Sequence, residues 1–239
     1  MIGTDTFRMS CSSPPLQAMP RASRSYFKAE EGHSLILADY KTIELRILAA
    51  ITKDPELLKA FRNGEDLHRK TASSIFQKEV SDISDMERDV GKIINFGIVY
   101  GMSSFGIQKK VSSSIGREIS LVEAENYRQN YFNLYKNVLD YQNAMLRACY
   151  IETLGGRVWR DYELDKGSVK RYNYPIQSGM AEGLKESIIL LLVKLEENSS
   201  WKVVNIIHDE IIMEIPDSEV EVAKVALEEV IIQGIKKIV

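Results

Sequence analysis

Three short apolar runs in the chain have the length and composition of buried strands. The run from Ser34 to Ala38 is followed at once by Asp39. The runs from Val203 to Ile207 and from Ile211 to Ile215 are separated only by a polar triplet. We therefore expect the second pair of strands to form a hairpin with residues 208–210 at its tip.

The remaining pattern is mainly that of helices. From Pro55 to Tyr150 strand signals are scarce, and helical stretches are separated by breaks that contain glycine or serine. We expect a short hairpin around Gly155-Gly156, an apolar helix from Ala181 to Leu195 and a last helix from Ser218 to Ile238. The opening segment, Thr4 to Pro20, has too many Ser and Pro residues for a helix, so it is expected to be extended.

One helix of the middle block combines an apolar side with a cationic and aromatic side. Its start is indicated by Ser84 and Glu87, which have the spacing of a capping box. At about 100° per residue, the apolar side lies opposite a face made of Arg88, Lys92, Phe96 and Tyr100. Two cations one turn apart can bind nucleotide phosphates, and a ring can contact a base or a sugar. A solvated face with ordinary basic residues is the alternative.

The composition is that of an ordinary globular chain. Its 239 residues, 44% apolar and 27% charged, suffice for one large domain or two packed ones. No apolar run reaches the length of a membrane span, and the start lacks the order of a signal peptide, so we expect a cytoplasmic protein that does not bind a membrane. Cys11 and Cys149 have no partner at metal-binding spacing, so neither a disulfide nor a zinc site is expected.

The net charge of −3 is unevenly distributed along the chain. From Glu196 onward there are 10 acidic and 4 basic residues, which leaves 24 acidic and 27 basic residues in the part before it. A polyanion such as DNA would therefore meet the earlier part, whose net charge is +3. A neutral, solvated surface would give the same balance.

Asp39 and Asp209 each follow an apolar strand, where a side chain can project into a cleft. If the two strands adjoin, the carboxylates could hold two Mg²⁺ ions, which prefer oxygen ligands. The alternative is that Asp209 and Glu210 form a solvated turn and that Asp39 is a helix cap. His68 could donate to a phosphate or be a satisfied core residue, and His208 could hold the turn or contact the substrate.

Three segments together resemble family A DNA polymerases, the bacterial DNA polymerase I group with its phage and organellar relatives. Residues 39–46, Asp-Tyr-Lys-Thr-Ile-Glu-Leu-Arg, resemble the family's first catalytic motif. The Arg88 to Gly101 segment resembles its nucleotide-binding helix, and His208-Asp209-Glu210 resembles its third motif. The order and spacing agree, and further segments of the chain match: residues 6–8 together with 16–17, and residues 66–68, 152–157 and 173–177.

The resemblance implies a role for each matching residue. Metal binding falls to Asp39, Asp209 and the backbone carbonyl of Tyr40, with Glu210 beside them in the catalytic site. Three side chains would hold the incoming triphosphate: Arg88, Lys92 and His68. Three more would contact the sugar or base of the incoming nucleotide: Glu44, Phe96 and Tyr100. Among these, Glu44 would exclude ribonucleotides. Five would follow the primer-template DNA: Arg8, Gln17, Asn173, Gln177 and His208.

The fold implied is α+β, with an antiparallel-sheet palm and an inserted, mainly helical fingers subdomain. We expect residues 1–41 and 165–239 to form the palm and residues 42–164 the fingers. The palm would end short of the family's final strand, and neither a thumb nor an exonuclease domain is expected in this chain. The expected cofactor is Mg²⁺, two ions, with Mn²⁺ as a substitute. The expected partners are primer-template DNA and deoxynucleoside triphosphates, bound by a monomer in a bacterial or phage-infected cell, although an organellar origin stays open.

Several positions depart from the family pattern, and two other functions stay open. Lys41-Thr42 replaces Ser-Gln, Phe7 replaces glycine and Val169 replaces arginine, for which Lys170 or Arg171 could compensate. A single-subunit phage RNA polymerase would share the cations of the nucleotide helix, but Glu44 and Phe96 favour a deoxynucleotide. A non-catalytic remnant that binds nucleic acid is the second alternative, against which both metal-binding aspartates argue.

Overall fold

The structure of the protein, a computed structural model, describes residues 4–11, 15–18, 20–160 and 167–239. The helices are α1 (Ile43–Thr52), α2 (Pro55–Arg62), α3 (Leu67–Phe76), α4 (Asp85–Val99), α5 (Ser104–Ile115), α6 (Leu121–Leu134), α7 (Lys136–Arg147), α8 (Lys170–Glu197) and α9 (Val220–Lys236). The strands are β1 (His33–Asp39), β2 (Tyr150–Glu152), β3 (Val158–Arg160), β4 (Lys202–Ile207) and β5 (Glu210–Pro216). Short 3-10 turns lie at Leu16–Ala18, Arg21–Tyr26, Val80–Asp82 and Asp217–Glu219.

The described residues form two compact units. The first, the sheet unit, comprises Met1–Ile43, Thr153–Gly156 and Gln177–Val239. The second, the helical unit, comprises Glu44–Glu152 and Arg157–Ile176. The predicted assignment of residue ranges to palm and fingers stays a prediction, and its second boundary, at residues 164 and 165, lies outside the described residues.

The sheet unit is built on three antiparallel strands in the order β1-β5-β4. The central strand β5 is buried along most of its length, and its side chains Ile211, Met213 and Ile215 are inaccessible to solvent. Helix α9 packs against β1 and β5, with Ala223 and Leu227 in the core. Because β5 lies between two partners, its backbone is paired on both sides and its position in the sheet is fixed.

The helical unit is organised around the pair α3 and α4, which have the most extensive helix contact. The start of α4 is fixed by the predicted capping box, because Ser84 and Glu87 each bond to the other's backbone N–H. Asp66 caps the start of helix α3, since its carboxylate accepts from the N–H groups of His68 and Arg69. Gly91 of α4 lies directly against the backbone carbonyl of His68.

The predicted strands and the hairpin around Gly155-Gly156 are confirmed, and the fold is mixed α+β with small antiparallel sheets. The helix predicted to begin at Ala181 begins earlier in the structure, where α8 starts at Lys170 and includes Pro175. A proline inside a helix removes a backbone hydrogen bond, but the segment 171–176 is buried, which offsets that loss. Among the described helices, none is both long and apolar enough to cross a bilayer.

The close approach of α3 and α4 predicts different responses to alanine at two glycines. A Cβ at Gly91 would overlap the carbonyl oxygen of His68, whereas a Cβ at Gly106 of α5 would meet the flexible Met102 side chain, with Cγ at 2.6 Å. We expect Gly91→Ala to lower the free energy of unfolding by about 1 to 3 kcal/mol. The matched Gly106→Ala change should be nearly neutral, since alanine favours the helix and Met102 can move. Urea denaturation compares the two, and equal stability would contradict the packing described.

Candidate active site

Three carboxylate-bearing residues lie at one end of the sheet unit because of its strand register. Asp39, the last residue of β1, is paired directly with Glu210, the first residue of β5. Asp209 precedes Glu210 in the turn between β4 and β5. Asp39 is exposed, Asp209 is half-buried, and only 7% of Glu210 is exposed. The fold therefore brings together the two aspartates that the sequence places 170 positions apart.

Glu210 is held by a basic residue that the sequence reasoning missed. Arg24, in the 3-10 turn Arg21–Tyr26, donates from Nη1 to Glu210 Oε2 over 3.0 Å. The other oxygen, Glu210 Oε1, is buried and accepts no hydrogen bond from the described residues. An unsatisfied buried carboxylate oxygen is costly unless a cation or donor reaches it. No periodic pattern marks Arg24, so only the fold shows its contact.

The oxygen donors at this sheet end suit a hard cation. They comprise the carboxylates of Asp39 and Asp209, the carbonyl of Tyr40 and the unsatisfied oxygen of Glu210. Within the described ranges, no three His, Cys, Asp or Glu side chains are grouped closely enough to hold a metal by themselves. Mg²⁺ commonly binds through one or two carboxylates, with waters and substrate phosphates as its other ligands. The residues therefore fit Mg²⁺ that is completed by a phosphate substrate.

The side chain of Tyr40 points into the core of the sheet unit. Its hydroxyl is 2.6 Å from Ser187 Oγ and donates to the carbonyl of Ile231 over 3.2 Å. Burial raises the pKa of the Tyr40 phenol, the charge of Asp209 raises it further, and the Ser187 hydrogen bond opposes both. The phenol is therefore neutral near pH 7, and a role for Tyr40 in metal binding would use its backbone carbonyl.

Backbone strain in the sheet unit is concentrated in the motif segments. Its described non-glycine residues with left-handed φ are Phe7 at 58°, Thr42 at 53° and His208 at 56°. Each lies within two positions of a predicted site residue, and a β-branched residue such as Thr42 is disfavoured in this region. Such strain persists where the surrounding structure enforces it and is frequent at functional sites. Phe7 has the backbone conformation that suits the glycine of the family pattern.

In the helical unit, Arg88 and Lys92 lie one turn apart on α4. Arg88 donates from Nε to Asp66 Oδ2 over 2.7 Å, which ties α4 to the capping residue of α3. Burial alone would raise the pKa of Asp66, but hydrogen bonds from Arg88 and the Arg69 N–H lower it below its ordinary value. Lys92 is exposed and has no ion-pair partner within the described part of the chain. Arg88 is thus anchored by Asp66, and Lys92 is available to a ligand.

His68 lies beneath these cations and is only 5% exposed. Its Nδ1 is 3.0 Å from Asn95 Nδ2, and its ring packs on Phe96 with centroids 5.8 Å apart. Burial, assisted by the charges of Arg88 and Lys92 and opposed by Asp66 and Asp89, lowers the pKa of His68 to about 4. The ring is therefore neutral at pH 7 in the ligand-free chain, and in this form His68 could contact a phosphate as a hydrogen-bond donor.

Glu44 and Tyr100 contact each other, although they lie 56 positions apart in the sequence. The phenol hydroxyl of Tyr100 donates to the carboxylate of Glu44 in a short hydrogen bond. Tyr100 follows the last residue of α4, and 38% of its surface is exposed. Glu44 begins the first turn of α1 and is half-buried. The helical unit thus places the predicted sugar-excluding carboxylate beside the predicted stacking ring.

The residues predicted to follow DNA differ in their availability. Gln17 donates from its side-chain amide to the carbonyl of Ile206 on β4 over 3.1 Å, and the buried Asn173 donates to that of Val99 over 3.2 Å. Arg8 points Nη2 towards Met180 Sδ at 3.8 Å, Gln177 is half-buried, and His208 is exposed. The side chains of Gln17 and Asn173 therefore already hold backbone carbonyls of the fold, and Arg8 is engaged with Met180.

The two residues that could compensate for Val169 have different environments. Arg171 is 1% exposed and donates to the carbonyls of Met145 and Ala148, at the end of α7. Lys170 is exposed, with its ammonium 5.8 Å from the Tyr174 ring centroid. Val169 itself lies against Gly101, whose φ is 72°. Lys170 is therefore the basic residue that can reach a ligand at this position.

Residues 1–238 match the sequence pattern of DNA polymerase family A. The chain belongs to this family. It is 36% identical over 234 residues to DNA polymerase I of Aquifex aeolicus (strain VF5), covering 95% of this chain and 40% of that relative. DNA polymerase I of Rhizobium leguminosarum is 35% identical over 244 residues, which cover 93% of this chain and 23% of that relative. The chain thus spans well under half the length of the family A relatives it matches.

A solved structure of the same family has a closely similar fold. It is the polymerase domain of Pol1 from M. smegmatis, in complex with DNA primer-template and a deoxynucleoside triphosphate. The TM-score is 0.84 with 28% sequence identity, and the match covers 96% of this chain and 43% of that one. The predicted family resemblance is confirmed, and the chain is a DNA polymerase I homologue that corresponds to part of a family A polymerase domain.

The environment of His68 predicts how stability depends on pH. Its pKa falls from 6.5 to about 4 on folding, so the folded chain binds fewer protons than the unfolded chain between these values. The stabilisation is present above pH 6.5 and is lost as the pH falls towards 4. We expect the parent to lose up to about 2 kcal/mol more than His68→Asn between pH 7 and 5.

Urea denaturation at each pH measures this difference. Asparagine retains an acceptor near the position of Nδ1, so the contact with Asn95 can persist. His33→Asn, which removes a histidine from the sheet unit, is the matched control. Equal pH slopes for the parent and His68→Asn would show that burial does not keep His68 neutral.

Proposed function

We propose that this chain forms the palm and fingers of a template-directed DNA polymerase, which adds deoxynucleotides to a primer 3′-hydroxyl. The observation that carries the proposal is the meeting of Asp39, Asp209 and Glu210 at one sheet end. Family membership supports it, and so does the M. smegmatis neighbour, which was solved with primer-template DNA and a nucleotide. The same observation argues against a non-catalytic remnant, which has no need of three carboxylates at one sheet end, one of them, Glu210, buried.

In the proposed reaction, the primer 3′-hydroxyl attacks the α-phosphate of the incoming nucleotide in line. A new ester bond forms, the bond to the β-phosphate breaks, and pyrophosphate leaves. Asp39, Asp209 and the carbonyl of Tyr40 would hold two Mg²⁺ ions, which Mn²⁺ could replace. When bound, Mg²⁺ activates the attacking oxygen and stabilises the leaving oxygen. Arg24 would keep Glu210 oriented so that its free oxygen stays at this sheet end.

The helical unit would hold the triphosphate through three side chains on α3 and α4. Lys92 offers an exposed ammonium without a partner in the described residues. Arg88 keeps its outer guanidinium nitrogens for a phosphate while Nε is bound to Asp66. His68 would add a neutral donor. This division suits a triphosphate, because charge neutralisation and directional hydrogen bonds then come from different groups.

The sugar and the DNA would be contacted by the remaining predicted residues. Glu44, oriented by Tyr100, would exclude a 2′-hydroxyl, and Phe96 would pack near the 3′ position. The exposed or half-buried residues Arg8, Gln177 and His208 would contact the primer-template directly. Gln17 and Asn173 would do so only after giving up a backbone hydrogen bond.

The metal-binding role predicts that one carboxylate is indispensable. We expect Asp209→Asn to reduce primer extension by a factor on the order of 10³, because several kcal/mol of charge stabilisation are lost. The assay uses a labelled primer annealed to a template, with deoxynucleotides and Mg²⁺. Chelation should abolish extension, and added Mg²⁺ or Mn²⁺ should restore it.

The matched control is Glu228→Gln, which removes an exposed carboxylate from α9 of the same unit. Circular dichroism and thermal melting verify that each variant is folded. If the folded parent extends the primer no better than Asp209→Asn, the proposed function is wrong.

The sugar contact predicts a change in selectivity that separates a DNA polymerase from an RNA polymerase. We expect the parent to prefer deoxynucleotides and Glu44→Ala to lower that preference roughly tenfold or more, since the excluding side chain is gone. Tyr100→Phe, which keeps the ring and removes only the hydroxyl bound to Glu44, should have a smaller effect. Single-nucleotide incorporation with matched deoxy- and ribonucleotides measures the ratio. A parent that accepts both equally would favour the RNA polymerase alternative.

A further inference from the structure

A chain of buried polar side chains crosses the helical unit and ends on His68. The hydroxyls of Tyr135 and Thr71 are 3.0 Å apart, and Thr71 Oγ1 is 3.0 Å from Asn95 Oδ1. The amide nitrogen of Asn95 is in turn 3.0 Å from His68 Nδ1. Tyr135, Thr71 and Asn95 are each fully inaccessible to solvent. Thr71 Oγ1 is also 2.9 Å from the carbonyl of Leu67. Buried polar groups are normally hydrogen-bonded, so a network of this kind restricts the orientation of its members.

The orientation of the Asn95 amide follows from its neighbours. The carbonyl of Leu67 can only accept, and it lies 3.5 Å from Asn95 Nδ2. Reversing the amide would place Asn95 Oδ1 against that carbonyl oxygen and would turn the NH₂ group towards the Thr71 hydroxyl. The NH₂ group therefore faces His68, and Oδ1 faces Thr71, whose single hydroxyl proton is within reach of both Asn95 Oδ1 and the carbonyl of Leu67.

This orientation determines where His68 carries its proton. A nitrogen that accepts from an NH₂ group must have its lone pair free, so Nδ1 is unprotonated. In the neutral ring the proton then lies on Nε2. Nε2 has no hydrogen-bond partner in the described residues, and it is not among their fully buried unsatisfied atoms. A largely buried imidazole thus leaves one donor, Nε2–H, accessible to a ligand.

We propose that Asn95 is a positioning residue that fixes His68 as its Nε2–H tautomer, so that His68 donates a hydrogen bond to a phosphate oxygen as a neutral group. The proposal rests on the proposed function for its ligand, the triphosphate of the incoming nucleotide. The charged groups around the ring are Arg88, Lys92, Asp66 and Asp89. Since burial, assisted by the two cations, keeps the imidazole from gaining a second proton, Asn95 decides which nitrogen donates.

The tautomer can be observed directly by NMR in the chain labelled with ¹⁵N-histidine. The chain has three histidines, and His68→Asn identifies the signals of His68. At pH 7 to 8 without nucleotide, we expect its Nδ1 to resonate as an unprotonated nitrogen and its Nε2 as a protonated one. A parent with the proton on Nδ1 would overturn the proposal without any substitution.

Two substitutions test whether Asn95 is the cause. Asn95→Asp places a carboxylate, which can only accept, beside Nδ1 of His68. The ring proton should therefore move from Nε2 to Nδ1. Asn95→Leu should give a mixture of the two tautomers. Tyr135→Phe is the matched control, because it removes a buried hydroxyl from the far end of the network and leaves the Asn95 contact in place. It should lower stability while leaving the tautomer unchanged. If Asn95→Leu is folded and retains the parent tautomer, Asn95 does not fix it.

Kinetics with a deoxynucleoside triphosphate and Mg²⁺ complete the test. Asn95→Leu should raise KM for the nucleotide roughly tenfold with kcat within about twofold, the loss expected for one hydrogen bond to a charged group. Tyr135→Phe should leave KM within about twofold of the parent. An unchanged KM in Asn95→Leu would overturn the positioning role.

The tautomer is read without nucleotide, so failures of the two proposals can be told apart. An active parent with a proton on Nδ1 of His68 refutes the role of Asn95 alone. An inactive parent with the expected tautomer refutes the polymerase assignment, and the phosphate-donor role with it.

Discussion

The antiparallel pairing of β1 with β5 is the constraint on which the candidate catalytic centre depends. It places Asp39 opposite Glu210 at the last pair of the ladder. Asp209 immediately precedes Glu210 in the chain, so it lies at the same end of the sheet. Because side chains alternate between the faces of a strand, a slip by one residue would turn Asp39 to the other face and expose Ile36. The buried residues Ile36, Ile211 and Met213 therefore hold the carboxylates in register as well as forming the core.

The helical unit uses a different principle, in which polar groups are tied together before any ligand is bound. Asp66 caps α3 and also accepts from Arg88, so one carboxylate sets both a helix start and a cation's position. Asn95 likewise bridges α4 to α3 through His68. Groups ordered in advance lose less entropy on binding, which would favour the triphosphate site proposed above.

Much of this arrangement could be predicted from the sequence because its signals are local. The apolar runs before Asp39 and before residues 208–210 define the strands, and Ser84 with Glu87 defines the start of α4. The ordered motifs then indicate which residues share a site. In both cases the information lies within a few consecutive residues, where periodicity and spacing can be read.

Contacts between distant segments could not be predicted in the same way. Arg24 meets Glu210 across 186 positions, and His68 meets Asn95 across 27, with no pattern in either segment that indicates the partner. The start of α8 was missed because burial of residues 171–176 outweighs the effect of Pro175. The left-handed backbone conformation of Phe7 could not be predicted either, because an aromatic residue does not indicate a positive φ.

The hydrogen bond from Gln17 to the carbonyl of Ile206 has a consequence for how DNA association is coupled to the sheet. In the described sheet β4 is an outer strand, so the Gln17 amide occupies an acceptor that would otherwise face water or another chain. A duplex that recruits Gln17 exchanges one hydrogen bond for another, and the gain in affinity is only their difference. If a duplex recruits Gln17 as proposed, the carbonyl of Ile206 loses this donor, and that acceptor on the outer strand β4 becomes available to water or to a further backbone partner.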